Sequence, residues 1–509
     1  MTTDLRRAVR ATLMPGFDGF VLPHWLATEL AAGLGSVCLF GMNVSSSDQL
    51  RELTAAIHAA GPAALVAIDE EGGDVTRLHH GEGSLHPSAA YLGSLDDVEF
   101  TEAVAADIGA QLVAAGVDLD LAPVADVNSN PLNPVIGVRS FGADADLAAR
   151  HVAAYTRGLQ GAGAGAVAKH FPGHGDTATD SHRELPTITV DATQLAAREL
   201  VPFRAAVEAG TLGVMTSHIL VPTIDPELPA TLSAPVLRLL RDDLGFTGAI
   251  VSDALDMAGA SKGRGIPEAA VLALAAGVDL LCIGTENTAE QLADIVDHIL
   301  DAVRSGRLSE DRVRDAAERV ARLSAGVAAL RDARSSGTRP TKRHEGVAVS
   351  LVWPEPVEGP KGLPQLSPKG FWLRAPVPAV TAPVFLKLDS AANIAAGEDT
   401  VWGVGDHLAG ELDRRLPGAT CVTAATLAEV GAVLTAHPDR PLVVQGRDLA
   451  RVEFLARASK LVKKRRPDAV LVELGWPQLP GVPPVDIATY GAGRGAAICL
   501  ITLLSEGVR

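Results

Sequence analysis

The sequence predicts an α/β chain: a (β/α)8 barrel of the TIM type followed by a smaller α/β sandwich-like domain. Three observations predict it. Short β-rich apolar runs alternate with amphipathic helical segments through about residue 330, and strand-then-helix repeats mean parallel strands with crossover helices. A polar, basic stretch and then a proline-rich one break that rhythm before residue 384. A second, shorter set of strand-like and helix-like runs follows.

In chain order, the runs expected as strands are 36–40 (SVCLF), 64–68 (ALVAI), 117–122 (VDLDLA), 165–169 (GAVAK), 212–216 (LGVMT), 248–252 (GAIVS) and 278–283 (VDLLCI). Helical patterns lie at 48–60, 101–115, 144–162, 192–209, 267–276 and 286–304. These are seven visible units, so one strand of eight escapes the eye; a doubly wound open sheet is the alternative. Residues 331–350 have linker composition. Residues 353–383 carry a proline density that no regular element tolerates, and are expected to be irregular. The later strand-like runs are 399–403, 441–445, 469–473 and 497–503, with helices at 424–436 and 447–464. The expected division is therefore 1–335 barrel, 336–383 linker and proline-rich insertion, and 384–509 C-terminal α/β domain. GAGRGA at 491–496 departs from GxGxxG, because its third glycine comes one residue early, and reads as a tight turn.

Composition narrows the function classes. Of 509 residues, 47% are apolar, enough for a large core. The net charge of -17 argues against a nucleic-acid partner, which needs local positive potential. Cys38, Cys282, Cys421 and Cys499 are widely spaced in apolar runs and are expected as buried, reduced thiols. No apolar stretch reaches the roughly 18 residues of a membrane span, and the N-terminus lacks a signal-peptide pattern. The expectation is a cytoplasmic protein with no membrane partner, monomeric or homodimeric.

In a parallel barrel the site lies at the C-terminal ends of the strands. The residues following the runs are Asp69-Glu70-Glu71 with Arg77 beyond; Pro123-Val124-Ala125-Asp126; Lys169-His170 through His174 and Asp176; Ser217-His218; and Asp253. Such a rim of ionisable groups favours catalysis. The segment from His170 to about Thr189 is a long loop, and it holds Asp180-Ser181-His182. A carboxylate two residues before a histidine can orient the ring and raise its basicity; the same triplet also suits a surface Asx turn. His170 and His174 have the spacing of a zinc pair, but Phe171-Pro172-Gly173 prevents the helix which that pairing needs. There is no GxSxG elbow and no P-loop. A strand-end aspartate such as Asp253 can be a nucleophile, a general base or a metal ligand. Asp256, one helical turn on, is its competitor and lies further from the strand end.

The segments LMPGF (13–17), IDEEGGDVTRL (68–78), VIGVRSFG (135–142), KHFPGHGDTATDSHRELP (169–186), MTSHI (215–219) and LGFTGAIVSDALDMAGA (244–260) together resemble glycoside hydrolase family 3, in its bacterial β-N-acetylhexosaminidase branch. The match runs in order over about residues 10–330. The resemblance implies a retaining β-glycosidase with Asp253 as nucleophile and His182 as acid/base, backed by Asp180. It implies sugar contacts from Asp69, Arg77, Arg139, Lys169 and His170, a small carbohydrate substrate, and no metal or organic cofactor. Two positions depart from the family pattern, Glu70 for a usual glutamine and Asp74 for a usual arginine; a structural role is expected at Asp74.

The leading expectation is an exo-β-N-acetylglucosaminidase acting on cell-wall muropeptide or chitin fragments, as in peptidoglycan recycling. The alternatives are a β-N-acetylglucosaminide phosphorylase, since a neutral imidazole base does not repel a phosphate acceptor, or a β-glucosidase of the same family.

Overall fold

The computed structural model describes residues 3–178, 185–336, 368–390, 395, 400–477 and 485–507. The first unit is a curled parallel sheet. Its strands are β1 (Leu13–Pro15), β2 (Ser36–Leu39), β3 (Leu65–Ile68), β4 (Leu119–Asp120), β5 (Gly165–Phe171), β6 (Gly213–Thr216), β7 (Ala249–Val251) and β8 (Leu281–Gly284). β2 to β7 pair in sequence order, and β1 pairs parallel with β8. A parallel bridge between Val251 and Leu280 joins β7 to the start of β8. The strand that the sequence hid is β1. It is three residues long and ends in proline, too short to show a period.

Side chains from all eight strands meet inside the curl. Met14, Cys38, Ala67, Leu119, Val167, Met215, Val251 and Cys282 belong to one apolar cluster, which Val320, Leu323 and Val327 complete. Those three come from the helix Glu310–Ser335, which crosses the N-terminal end of the strands. Its arginines fasten it there. Arg312 binds Asp279 at 2.5 Å and Arg331 binds Asp118 at 2.8 Å. Both aspartates are buried at strand beginnings, where they accept Ile250 N and Val66 N. The helix also runs through 331–335, residues expected to open the linker.

The second unit is a six-stranded sheet: β9 (Trp372–Leu373), β10 (Val384–Leu388), β11 (Thr420–Ala424), β12 (Leu442–Gly446), β13 (Val470–Glu473) and β14 (Ile487–Ala488). The order is β11-β10-β12-β13-β14-β9, parallel except for β9. Alternate residues serve two cores. Phe385, Val443 and Val472 pack on one face beneath the helix Arg494–Glu506. Leu386, Val444 and Leu471 pack on the other beneath Leu427–Ala436 and Glu453–Arg465.

Four expectations are corrected here. The 497–503 run lies in the helix Arg494–Glu506, because a short apolar run suits a buried helix as well as a strand. Residues 400–403 form no strand and lead into the helix Val404–Leu408. The stretch 353–383, expected to be irregular, supplies β9, an edge strand between prolines and antiparallel to β14. Cys421 is exposed on the edge strand β11, whereas Cys38, Cys282 and Cys499 are buried.

The units meet on the loop that follows β3. Asp74 Oδ1 accepts Ala492 N at 2.6 Å, and Gly495 N donates to Ser84 O at 3.0 Å. His407 reaches Glu82 O on one side and Ala492 O on the other. A side chain at Gly493 would run into the carbonyl of Gly73, so the close approach requires glycine.

Candidate active site

The rim at the C-terminal ends of β3, β4, β5 and β7 holds a buried chain of charges. β5 continues through Lys169 and His170, and both side chains join this chain. Lys169 is almost wholly buried; its Nζ lies 2.6 Å from Asp69 Oδ1 and 2.7 Å from Glu71 Oε1. Glu71 takes a bidentate pair from Arg139, Nε to Oε2 at 2.9 Å and Nη2 to Oε1 at 2.8 Å. Burial opposes charge on Glu71, but Arg139 and Lys169 outweigh it and hold the carboxyl well below the usual range. Burial likewise works against the Lys169 ammonium, and Asp69 and Glu71 reverse that, raising its pKa. Such pairs are fixed in geometry, since removing one partner strands a buried charge.

The chain continues through the imidazoles. His170 Nδ1 lies 2.7 Å from Asp126 Oδ2, which places the proton on Nδ1. Nε2 then accepts, and Arg139 Nη2 faces it at 3.4 Å. Asp126 Oδ1 also accepts His174 N at 2.7 Å. Burial disfavours the Asp126 charge, yet His170 and His174 bring its pKa below the ordinary value. His174 is buried and its pKa falls to about 4, so its ring is neutral at pH 7. The loop that carries it packs on the backbone of Val127: a Cβ at Gly175 would collide with the Val127 carbonyl.

Asp253 sits two residues past β7, partly exposed, with Oδ1 accepting Ala254 N at 2.8 Å. His218 Nε2 binds the Ala254 carbonyl at 2.9 Å and so anchors the turn. Asp253 is close enough to act on the charge of His174. Its competitor Asp256 turns toward the end of β8, where Oδ2 accepts Thr285 N at 3.3 Å. Asp69, Lys169, Glu71, Arg139 and His170 thus form one connected wall, open to solvent at Asp69. Arg77 stands beside it, with Nη2 3.7 Å from Asp69 Oδ2 and 2.8 Å from Ala395 O of the second unit.

Asp180 and His182, the expected acid/base pair, lie outside the described residues. The reading from sequence gave no role to Asp126 or Glu71, although both stood among the strand-end residues. Glu70 also finds a purpose: its Oε2 accepts Thr76 Oγ1, Arg77 N and Leu78 N at 2.9–3.0 Å, folding the loop so that Arg77 returns to the rim. Among the described residues, no group of three His, Cys, Asp or Glu side chains is arranged to hold a metal ion. No helix among them is long and apolar enough to cross a membrane.

The family model for the glycosyl hydrolase family 3 N-terminal domain matches residues 24–323. The chain belongs to glycosyl hydrolase family 3. Within this family it is similar to the β-hexosaminidase of Alkalilimnicola ehrlichii, 39% identical over 300 residues that cover 57% of this chain and 84% of that one. It is 32% identical over 377 residues to β-hexosaminidase A of Pseudoalteromonas piscicida, covering 68% of this chain and 62% of the relative's length. Among solved structures, the family 3 β-N-acetylglucosaminidase from Paenibacillus sp. str. FPU-7 superposes with a TM-score of 0.84 at 30% identity, over 100% of this chain and 97% of that one. The likeness to that family 3 structure therefore takes in both units.

Proposed function

We propose that this chain is a retaining, exo-acting β-N-acetylhexosaminidase that releases terminal N-acetylglucosamine from cell-wall muropeptide or chitin fragments in the cytoplasm. The observation that carries the reading is the position of Asp253 just past the end of β7, on the same rim as the wall of pre-paired polar groups and within electrostatic reach of His174. Membership of the family and similarity to β-hexosaminidases support it. The first unit, residues 1–335, is read as a closed (β/α)8 barrel and as the catalytic domain. Residues 384–509 are read as a C-terminal α/β domain, with β9 lent to it from the 336–383 segment.

In this reading Asp253 attacks the anomeric carbon as the glycosidic bond breaks, giving a covalent glycosyl–enzyme. His182, charged and backed by Asp180, gives its proton to the leaving oxygen. Neutral again, it takes a proton from water as that water displaces Asp253 and restores the anomeric configuration. Asp69 accepts hydrogen bonds from sugar hydroxyls, and Lys169, 2.6 Å from its Oδ1, holds it in position for that task. Arg139 and His170, tied to Glu71 and Asp126, hold the wall at a fixed distance. Arg77 and Lys169 donate to the sugar from the same wall.

The test is a panel of aryl β-glycosides differing at the 2-position, run in phosphate and in phosphate-free buffer. The N-acetylamino sugar is expected to be cleaved fastest, with free sugar as product in both buffers. A sugar 1-phosphate formed only in phosphate makes the enzyme a phosphorylase instead. Asp253→Ala is expected to lower kcat on the order of a thousandfold without loss of folding; ordinary activity in that variant overturns the assignment.

A further inference from the structure

The second sheet winds outward in both directions from β10: β11 lies on one side and β12 on the other. In open parallel sheets a crevice forms beyond the carboxyl ends of the strands at such a point, and ligands bind there. Here Lys387 of β10 is in register with Gln445 of β12, and Arg447 directly follows β12. Gln445 is fully buried and Arg447 is 6% exposed. Gln445 Oε1 accepts Val404 N, but among the described residues Gln445 Nε2 has no hydrogen-bond partner. Neither do Arg447 Nε and Nη1. The remaining guanidinium nitrogen, Nη2, lies 3.4 Å from Asp74 Oδ2 of the first unit. Ser390 Oγ, two residues past β10, is a further buried polar atom with no partner among the described residues.

Native interiors rarely leave such groups unmade, and a buried guanidinium is among the most demanding. The unmade nitrogens are all donors, so the missing group is an acceptor. The ring of Trp402 adds to the bias, with Lys387 Nζ 4.1 Å and the Arg447 guanidinium 5.2 Å from its centroid. Asp74 and Asp406 balance part of this charge. They do not occupy Arg447 Nε and Nη1 or Gln445 Nε2.

We propose that the crevice at the ends of β10 and β12 binds a small oxyanion, a carboxylate or phosphate group, with Arg447 and Gln445 as its donors. The anion has two possible sources: a free ion, or an acidic group on the leaving part of the sugar substrate. Asp74 lies in the same loop as Asp69 and Arg77, so an occupant here bears on the wall of the sugar site from the far side. The second source rests on the glycosidase reading; the first does not.

The test uses the full chain and two variants. Arg447→Met removes the guanidinium. Gln445→Glu keeps the acceptor for Val404 N but places a carboxylate beside Arg447, filling the demand from within. Melting temperature is followed against inorganic phosphate and against acetate, with chloride at matched ionic strength as control. If the ion is free, either anion raises the wild-type melting temperature by about 2–4 °C near saturation, and neither variant responds. If the group belongs to the substrate, Arg447→Met raises KM for a glycoside with a carboxylate-bearing leaving part about tenfold more than for a neutral aryl glycoside. Either result supports the site. Variants that respond like the wild type, or the absence of both the thermal and the KM effect, overturn it. A wild type inert on every glycoside but stabilised by anions through Arg447 defeats the glycosidase reading and leaves the site standing.

Discussion

His170 shows how a single side chain is given its chemistry by a partner distant in sequence. Asp126, 44 residues away, fixes its tautomer and also accepts the backbone of His174. Asp126→Asn keeps an acceptor for one of these donors and loses the charge. The expected result is a fall in kcat of about 10–100-fold with a modest drop in melting temperature, read from steady-state kinetics and thermal denaturation of the same preparation. Glu199 makes a second residue-level case. It is buried, Oε1 accepts Arg198 Nε at 2.5 Å, Oε2 has no partner among the described residues, and burial raises its pKa from 4.5 to about 7. The folded state therefore holds a proton that the unfolded chain releases, and stability falls as pH climbs from 4.5 to 7, by about 3 kcal/mol across the window. His174 acts the opposite way. Its pKa drops from 6.5 to about 4, so its share of stability is lost as pH falls through that range. In the wild type the two slopes oppose each other; in Glu199→Gln stability is expected to rise between pH 4 and 6.5 and then stay level. Urea titrations at several pH values check this. Asp69, Lys169 and His170 were legible at the rim because each stands at or just past the end of an apolar run, and Arg77, further along the loop, stood out through the family resemblance. Glu71 and Asp126 stood at strand ends too, but their roles were hidden, since nothing in sequence spacing joins Glu71 to Arg139, 68 residues on, or Asp126 to His170.

Among elements, those with a clear period were legible and the short ones were not. Seven of the eight strands in the curled sheet lie where apolar runs predicted them. β1 is too brief to carry a pattern, as are β9 and β14, two residues each, in the second unit; β10 and β11, also missed there, are five-residue strands flanked by prolines or small polar residues. The helix Glu310–Ser335 went unremarked for another reason. Most of its surface is charged, and its narrow apolar stripe, Val320, Leu323 and Val327, makes sense only once the strands have curled to receive it. Leu323→Ala is expected to destabilise the first unit by about 2–5 kcal/mol through the cavity it leaves, visible as a lower transition in calorimetry.

At the scale of the whole molecule, the two units are joined by polar contacts on the loop that bears Asp69 and Arg77 and by Tyr91 of the first unit, which packs edge-on against Phe371 in the core of the second. Asp74, where the family usually has arginine, accepts Ala492 N and faces Arg447, which explains the reversed charge at that position as a docking device. Asp74→Ala strands Arg447 and one backbone donor. It is expected to cost about 3–5 kcal/mol and to split a single melting transition into two, measured by scanning calorimetry. Sequence alone could report the reversed charge but not its partner, because Arg447 belongs to the other unit, across the 336–383 segment. The helix laid across the N-terminal end of the strands has a last consequence. It stoppers the interior with leucine and valine, so nothing reaches the rim from that end: in the proposed glycosidase, the released sugar leaves by the same side on which the substrate came in.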